Sequence, residues 1–458
     1  MYRSVLLLIL RSNAKLRSIV FCVTNTYTGN LKFSLKQLSW LRYLFFIITC
    51  NCLMVLSWQL NPLPAVAGTN WVDKALAILD FNAPADNYYP PGSALLITPF
   101  VHFSKVSLVS TFFWANVGFI FYFLICNFIN NKFWNLVALF TFLINVYLFW
   151  NFKSSQDTVF EFTFVMISVY FLIRKNWYIA FLSLFLLFQI RSGYLLLFIL
   201  VFGIILIKRK YLGMNKRKLI FPAFLFILSA FFNQSVYGVV SPSNTSGQTI
   251  FFGQNKYFYL GHPNFDIDTF LSKNGHMTPK GFTNEELWSK NLNTIDEIFL
   301  SEALHDIRNN PQVLIQNTLT KIDNLFFNFQ KIPNLPGQYW LSQDAKSIVV
   351  DKNSLELKYA LGNLIYFLYR VVSVFLIIYA LSIYFYLRKF LDGRDYFYSF
   401  WLLLPFISWV PLCLIFYEDT RFRIVSESLF IPASAYLIAR LNSVRFDKTK
   451  LPDYKFRS

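Results

Sequence analysis

The chain is poor in charge. Asp, Glu, Lys and Arg make up 14% of its 458 residues, against about a quarter in a soluble domain. With 55% hydrophobic residues and a mean hydropathy of +0.44, a water-facing surface for the whole chain is excluded, and most of that surface has to meet lipid. Acids are the scarcer sign, 24 against 42 Lys and Arg, for a net charge of +18. No basic stripe interleaved with aromatics and no nucleic-acid motif accompanies that excess, so nucleic acid is not the partner it implies. Lysine and arginine held in cytoplasmic loops of a membrane protein account for it.

Cysteine is also sparse. Cys22, Cys50, Cys52, Cys126 and Cys413 lie mostly in or beside apolar runs, and none is spaced for a zinc site or a disulfide framework. The four histidines are scattered. There is no H-E-x-x-H, P-loop, G-x-S-x-G or dinucleotide fingerprint. No metal and no cofactor is expected. An enzyme of this composition would have to receive an already activated substrate by way of the membrane.

What is present is apolar length. Crossing a bilayer takes about 20 residues of helix, and runs of that kind fall at 38–60, 106–128, 133–151, 159–174, 177–190, 193–207, 219–240, 367–387, 398–416 and 424–439. The pair 177–190 and 193–207 is short, yet as one helix it would reach roughly 47 Å, too long for a single crossing without heavy tilt. Counting two spans there leaves "NNK", "IRKNW", "KRKYLGMNKRKL" and "RKFLDGR" on one side with the basic tail, as the positive-inside rule requires. The expected fold is an all-α polytopic membrane protein of about 10 transmembrane helices. Its organisation reads as a basic cytoplasmic arm (1–37), an N-terminal transmembrane module (38–240) with a first outer loop (61–105), a long periplasmic or outer region (241–360), C-terminal transmembrane helices (361–440) and a cytoplasmic tail (441–458). No internal repeat of the transporter kind is visible. In the outer region, Leu287, Leu292, Ile295, Ile298, Phe299, Ala303, Leu304 and Ile307 are spaced like one helical face. Pro311 stands where a second amphipathic helix begins.

Ionisable groups beside lipid are costly and often functional. On the outer side they are Asp73 in "GTNWVDKALAIL", Asp157 and Glu161 in "QDTVFEF", and the cations Lys105, Arg191, Arg421 and Arg423. Each has a plain structural alternative. Asp157 can be a first-turn acid favoured by the helix dipole, Glu161 can pair with a neighbouring cation, and Arg191 can snorkel to the interface. An i,i+4 pair of Arg423 with Glu427 would explain one arginine of "EDTRFR" and leave Arg421 over.

Four stretches in order carry a resemblance. "YYPPGSALLITPF" (Tyr88–Phe100) resembles the Tyr-Pro-Pro segment in the first outer loop of GT-C fold, polyprenyl-phosphate-dependent glycosyltransferases. The stretch from "QDTVFEF" to "QIRSGYLLL" is similar to their acid-led fourth span, basic turn and arginine-ended fifth span. "GQTIFFGQNKYFYLGHPN" with "SEALHDIRNNPQVLIQNTLTKI" resembles their outer-loop turn and "I-x-x-N-P…K" helix, and "EDTRFRIVSESLFIPASAYLI" their closing "R-[YF]-R-x-P-x-x-P" segment. By this pattern the chain is similar to protein O-mannosyltransferases and bacterial lipid A aminoarabinose transferases.

The resemblance implies a sugar carried on a polyprenyl phosphate and transferred with inversion to a lipid, glycan or protein acceptor on the outer face of the membrane. It implies Asp73 as the base, with Asp80 and Asp86 as the alternative bases in that loop, and Asp157 as the second catalytic acid. Arg191, Arg421, Arg423 and Lys105 are expected around the lipid phosphate, with Tyr88, Tyr89, Glu161 and His262 lining the substrate. Pro432 keeps the second proline of the closing motif, and Val425 and its neighbours replace the first. An O-antigen polymerase or ligase, and a transporter or lipid flippase, are the competing readings.

Overall fold

The computed structural model describes residues 35–60, 69–80, 90–103, 105–154, 156–208, 212, 216–237, 240, 246–254, 279, 282–283, 286–287, 289–326, 339–341, 348–350, 357–387, 393–415 and 420–446. The chain divides into two units, residues 1–46 and 47–458. Everything described below for packing and sites belongs to the second.

Each of the ten apolar runs forms helix. The elements are α1 (Leu35–Leu60), α2 (Thr69–Leu79), α3 (Gly92–Ile97), α4 (Val106–Cys126), α5 (Lys132–Ile144), α6 (Val146–Ser154), α7 (Gln156–Ile173), α8 (Trp177–Ile190), α9 (Leu195–Lys208) and α10 (Ile220–Tyr237). The segment 241–360 contributes α11 (Ser246–Gln254), α12 (Leu292–Asn309) and α13 (Pro311–Phe326), followed by a three-residue antiparallel pair, Tyr339–Leu341 with Ile348–Val350. The chain closes with α14 (Leu357–Leu387), α15 (Gly393–Ile415), α16 (Thr420–Ser428) and α17 (Phe430–Phe446).

Five helical stretches are long and apolar enough to cross a membrane: Trp40–Gln59, Val106–Cys126, Leu364–Leu387, Asp395–Ile415 and Arg423–Asn442. A sixth forms if α5 and α6, bent by 44° at Asn145, count as one broken span. Three shorter apolar helices fall at Trp177–Ile190, Ser192–Lys208 and Ile220–Ser235. Large apolar side chains stand outward on these helices, with Ile207 78%, Phe231 71% and Phe375 71% exposed. Such a surface is stable only against hydrocarbon. The protein is an all-α membrane protein.

Helix α7 lies at the centre of the packing, against α4, α8, α15 and α16. Aromatic rings fill its contact with α4–α6. Phe119 meets Phe142, Phe149, Phe152 and Phe162 at centroid distances of 6.2, 5.7, 6.3 and 5.9 Å, mostly edge to face as ring quadrupoles prefer. This is where the phenylalanine-rich composition is used.

The stretch from Leu287 to Ile307 departs from one long helix. Thr283 and Glu286 exchange capping contacts (Thr283 N–H to Glu286 Oε2 2.9 Å, Glu286 N–H to Thr283 Oγ1 3.2 Å), which ties Leu287 into a separate turn. Asn291 then caps α12 by accepting from the Thr294 N–H at 2.9 Å. Ile295, Phe299 and Ala303 form its buried stripe, whereas Leu304 is exposed. Phe299 packs on Phe251 and Phe252 of α11 at 5.1 and 5.8 Å. Helix α13 begins at Pro311, as expected.

Helix α11 is seated on α12 through Gly247 and Asp296. A Cβ at Gly247 would lie 2.0 Å from the Asp296 carbonyl oxygen. The Asp296 carboxylate accepts the N–H groups of Gly247 (2.7 Å) and Gln248 (3.1 Å), and burial pushes that carboxyl up in pKa despite the two amides holding it down. The region is anchored to the end of α15. Gln254 Nε2 donates to the carbonyls of Leu414 (3.2 Å) and Ile415 (2.7 Å), and Lys321 Nζ to Leu414 (3.2 Å). These are the carbonyls a helix C-terminus leaves without partners. The lysine of the "I-x-x-N-P…K" stretch is therefore a helix cap.

Candidate functional site

The site is built from four chain segments. Asp157 sits in the first turn of α7 and Glu161 one turn further in, so both carboxylates point the same way. Helix α8 ends at Ile190, and Arg191 adopts an extended conformation (φ −146°, ψ 118°) before a single 3-10 turn, Ser192–Tyr194, starts the return. That tight reversal delivers Arg191 and Tyr194 onto the acids. Arg191 forms an ion pair with Asp157 and a second with Glu161, Nε to Oε1 at 2.7 Å. The Tyr194 hydroxyl donates to Glu161 Oε2 at 3.1 Å.

Helices α14 and α16 supply a second group with the opposite balance. Glu427 lies between two guanidiniums, Arg423 Nε at 3.4 Å and Arg370 Nη1 at 3.5 Å. It also accepts from the Tyr369 hydroxyl and from Ser373 Oγ at 2.8 Å. Tyr147 of α6 stacks on Tyr369 at 4.9 Å. The two groups adjoin, since α16 packs on α7. Three carboxylates and three guanidiniums thus share one end of α7.

Exposure separates their roles. The side chains of Glu161, Arg370, Arg423 and Glu427 are at most 1% exposed, whereas Arg191 and Asp157 retain 22% and 20%. An arriving ligand can reach the Asp157–Arg191 pair, while Glu161, itself held by Tyr194, fixes Arg191.

The loop before α4 reaches the same end. A Cβ on Gly92 would come within 2.5 Å of the backbone carbon and oxygen of Gln189, two residues before Arg191. The glycine of "YYPPG" is therefore a docking point, and α3 lies against α8 and α7. Asp73 is on α2, which packs on α3, and its side chain is exposed. Lys105 is exposed at the start of α4. Among the described contacts, none joins Asp73 or Lys105 to the Asp157–Arg191 group.

Of the residues expected around a lipid phosphate, Arg191 is at the accessible pair. Arg423 is instead buried against Glu427, because its helix faces α14 and not the solvent. Arg421 lies on the same helix, but its side chain is outside the described residues, as are Tyr88, Tyr89, Asp86 and His262. Arg370, Tyr194, Tyr369 and Ser373 were not singled out from the sequence. Arg370 carried a signal, a lone arginine inside an apolar run; the two tyrosines and the serine carried none. Among the described residues no three His, Cys, Asp or Glu side chains gather as a metal site. The protein is thus a helical membrane protein with a buried acid–arginine array opening at one pair. Comparison with protein-family models, with curated proteins and with solved structures returns no match.

Proposed function

We propose that the chain is an integral membrane glycosyltransferase, moving a sugar from a polyprenyl-phosphate carrier to a lipid, glycan or protein acceptor at the outer face of the bacterial cytoplasmic membrane, with inversion. The observation that carries this reading is the accessible Asp157–Arg191 pair, backed by Glu161 and Tyr194 and adjoined by Gly92 of the first loop.

The reading takes all ten apolar runs as spans, with both termini cytoplasmic. The chemistry asks for two things that such a site supplies. An acceptor hydroxyl attacking the anomeric carbon must lose its proton to a carboxylate, a role worth about 10²–10⁴-fold. The departing carrier phosphate gains charge as the glycosidic bond breaks, and a guanidinium at headgroup depth stabilises it. Asp73 is assigned as the base and Asp157 as the acid that positions acceptor or sugar. Arg191 takes the phosphate, with Arg421 and Lys105 as further cations, and the donor is a substrate and not a cofactor.

The test is a transfer assay with defined polyprenyl-phosphate sugars in reconstituted membranes. Asp73→Asn and Asp157→Asn should each lower transfer by about 10²–10⁴-fold at unchanged protein level. Full turnover in both variants would sink the assignment. Glycan and lipid profiles of cells with and without the chain would then identify the acceptor.

A further inference from the structure

At the opposite end of α7 the helices leave a cavity of about 620 Å³, within the usual range for ligand sites. Its lining includes Arg174, Lys175, Asp395, Trp401, Tyr436 and Arg440. At about 1.5 Å per residue, Arg174 lies roughly 25 Å along the helix direction from Asp157, close to the thickness of a bilayer's hydrocarbon core. The two sites therefore stand at opposite membrane faces.

One wall of the cavity is fixed. Asp395 accepts from the Tyr436 hydroxyl and from Arg440 Nη2 at 2.6 Å, and Arg440 also lies over the Tyr436 ring at 5.6 Å. The other wall presents two exposed cations. The Arg174 guanidinium sits over the rings of Phe128 and Tyr170 at 4.9 and 5.7 Å, which orients it without neutralising it. No described acid pairs with Arg174 or Lys175.

Lys175 is more telling. It holds φ +56° at the residue after the cap of α7, where its N–H bonds the Leu172 carbonyl and the next N–H bonds Phe171. That is the left-handed position at which glycine usually ends a helix. A lysine there is strained relative to glycine, yet this one lines the cavity. Three cations against one carboxylate leave two positive charges on a cavity that Trp401 and Phe128 also line.

We infer that this cavity binds a phosphate-bearing anion, and that its place at the membrane-facing ends of apolar helices makes the phosphate that of an anionic lipid headgroup. Under the proposed topology this is the cytoplasmic leaflet. The inference stands on this cavity and does not depend on the glycosyl-transfer reading.

The experiment uses the full chain in nanodiscs of phosphatidylglycerol diluted in phosphatidylcholine, reading retained lipid by native mass spectrometry. A parallel arm reads the shift of the unfolding midpoint with inorganic phosphate. The double variant Arg174→Gln, Lys175→Gln should lose selective retention of phosphatidylglycerol by about thirtyfold. Lys175→Gly alone, which relieves the left-handed lysine, should lose part of it with no fall in the unfolding midpoint. If phosphate ion shifts the midpoint in the wild type alone and no lipid selectivity is seen, the phosphate site stands and the lipid source is overturned. Equal retention in wild type and double variant, with no phosphate shift in either, overturns the site.

Discussion

The two ends of α7 use charge in opposite ways. At the Asp157 end, three carboxylates and three arginines neutralise one another with little solvent contact. At the Arg174 end, the one carboxylate is spent on Arg440, and two cations stay exposed around an open cavity. The Arg370–Glu427–Arg423 part of the first is rigid because removing Glu427 leaves two arginines charged in a dry setting. The second tolerates loss, because water and ions take over at exposed sites. Burial, more than the count of ion pairs, decides which end is structurally essential.

The largest effect expected from this contrast is at Glu427. Glu427→Gln leaves Arg370 and Arg423 buried without their carboxylate, and should cost about 3–5 kcal/mol, read as a lower unfolding midpoint in detergent. A loss as small as that of a surface pair would break the comparison. Gly92→Ala comes next. Its methyl meets backbone and not a movable side chain, so α3 has to shift from α8, at about 1–3 kcal/mol. Under the proposed function, transfer activity should fall with it, since the first outer loop would leave its seat beside Arg191. At the other end, Arg440→Gln should cost about 1 kcal/mol or less, because the Arg440 side chain is 34% exposed. An effect matching that of Glu427→Gln would show that the two ends are energetically alike.

Much of this was legible in the residues, and the limits are informative. The apolar runs at 177–190 and 193–207 coincide with two short helices, α8 and α9, because continuous apolar sequence on either side of a polar "RS" favours helix with a turn between. Pro311 marked the start of α13 through its fixed φ. The pairing of Arg423 with Glu427 was readable from i,i+4 spacing, but that Arg370 joins them was not, because α14 lies more than fifty residues away in sequence. The single amphipathic face drawn through Leu287 and Leu292 is interrupted at Asn291, whose side chain caps a new helix there, a local hydrogen bond that hydrophobic periodicity does not show.

By itself the sequence determined that this is a helical membrane protein, where its apolar helices run, and that a few acids and arginines had to be held where lipid meets water. Those follow from transfer free energies and backbone hydrogen bonding, which act on short stretches of chain. Which charges meet was decided only in the tertiary structure. The reversal at Arg191, the seat of Gly92 on Gln189 and the approach of α16 to α7 and α14 depend on packing between segments far apart in the chain. Close-packed side chains select those pairings by shape, and shape is a property of the assembled helices.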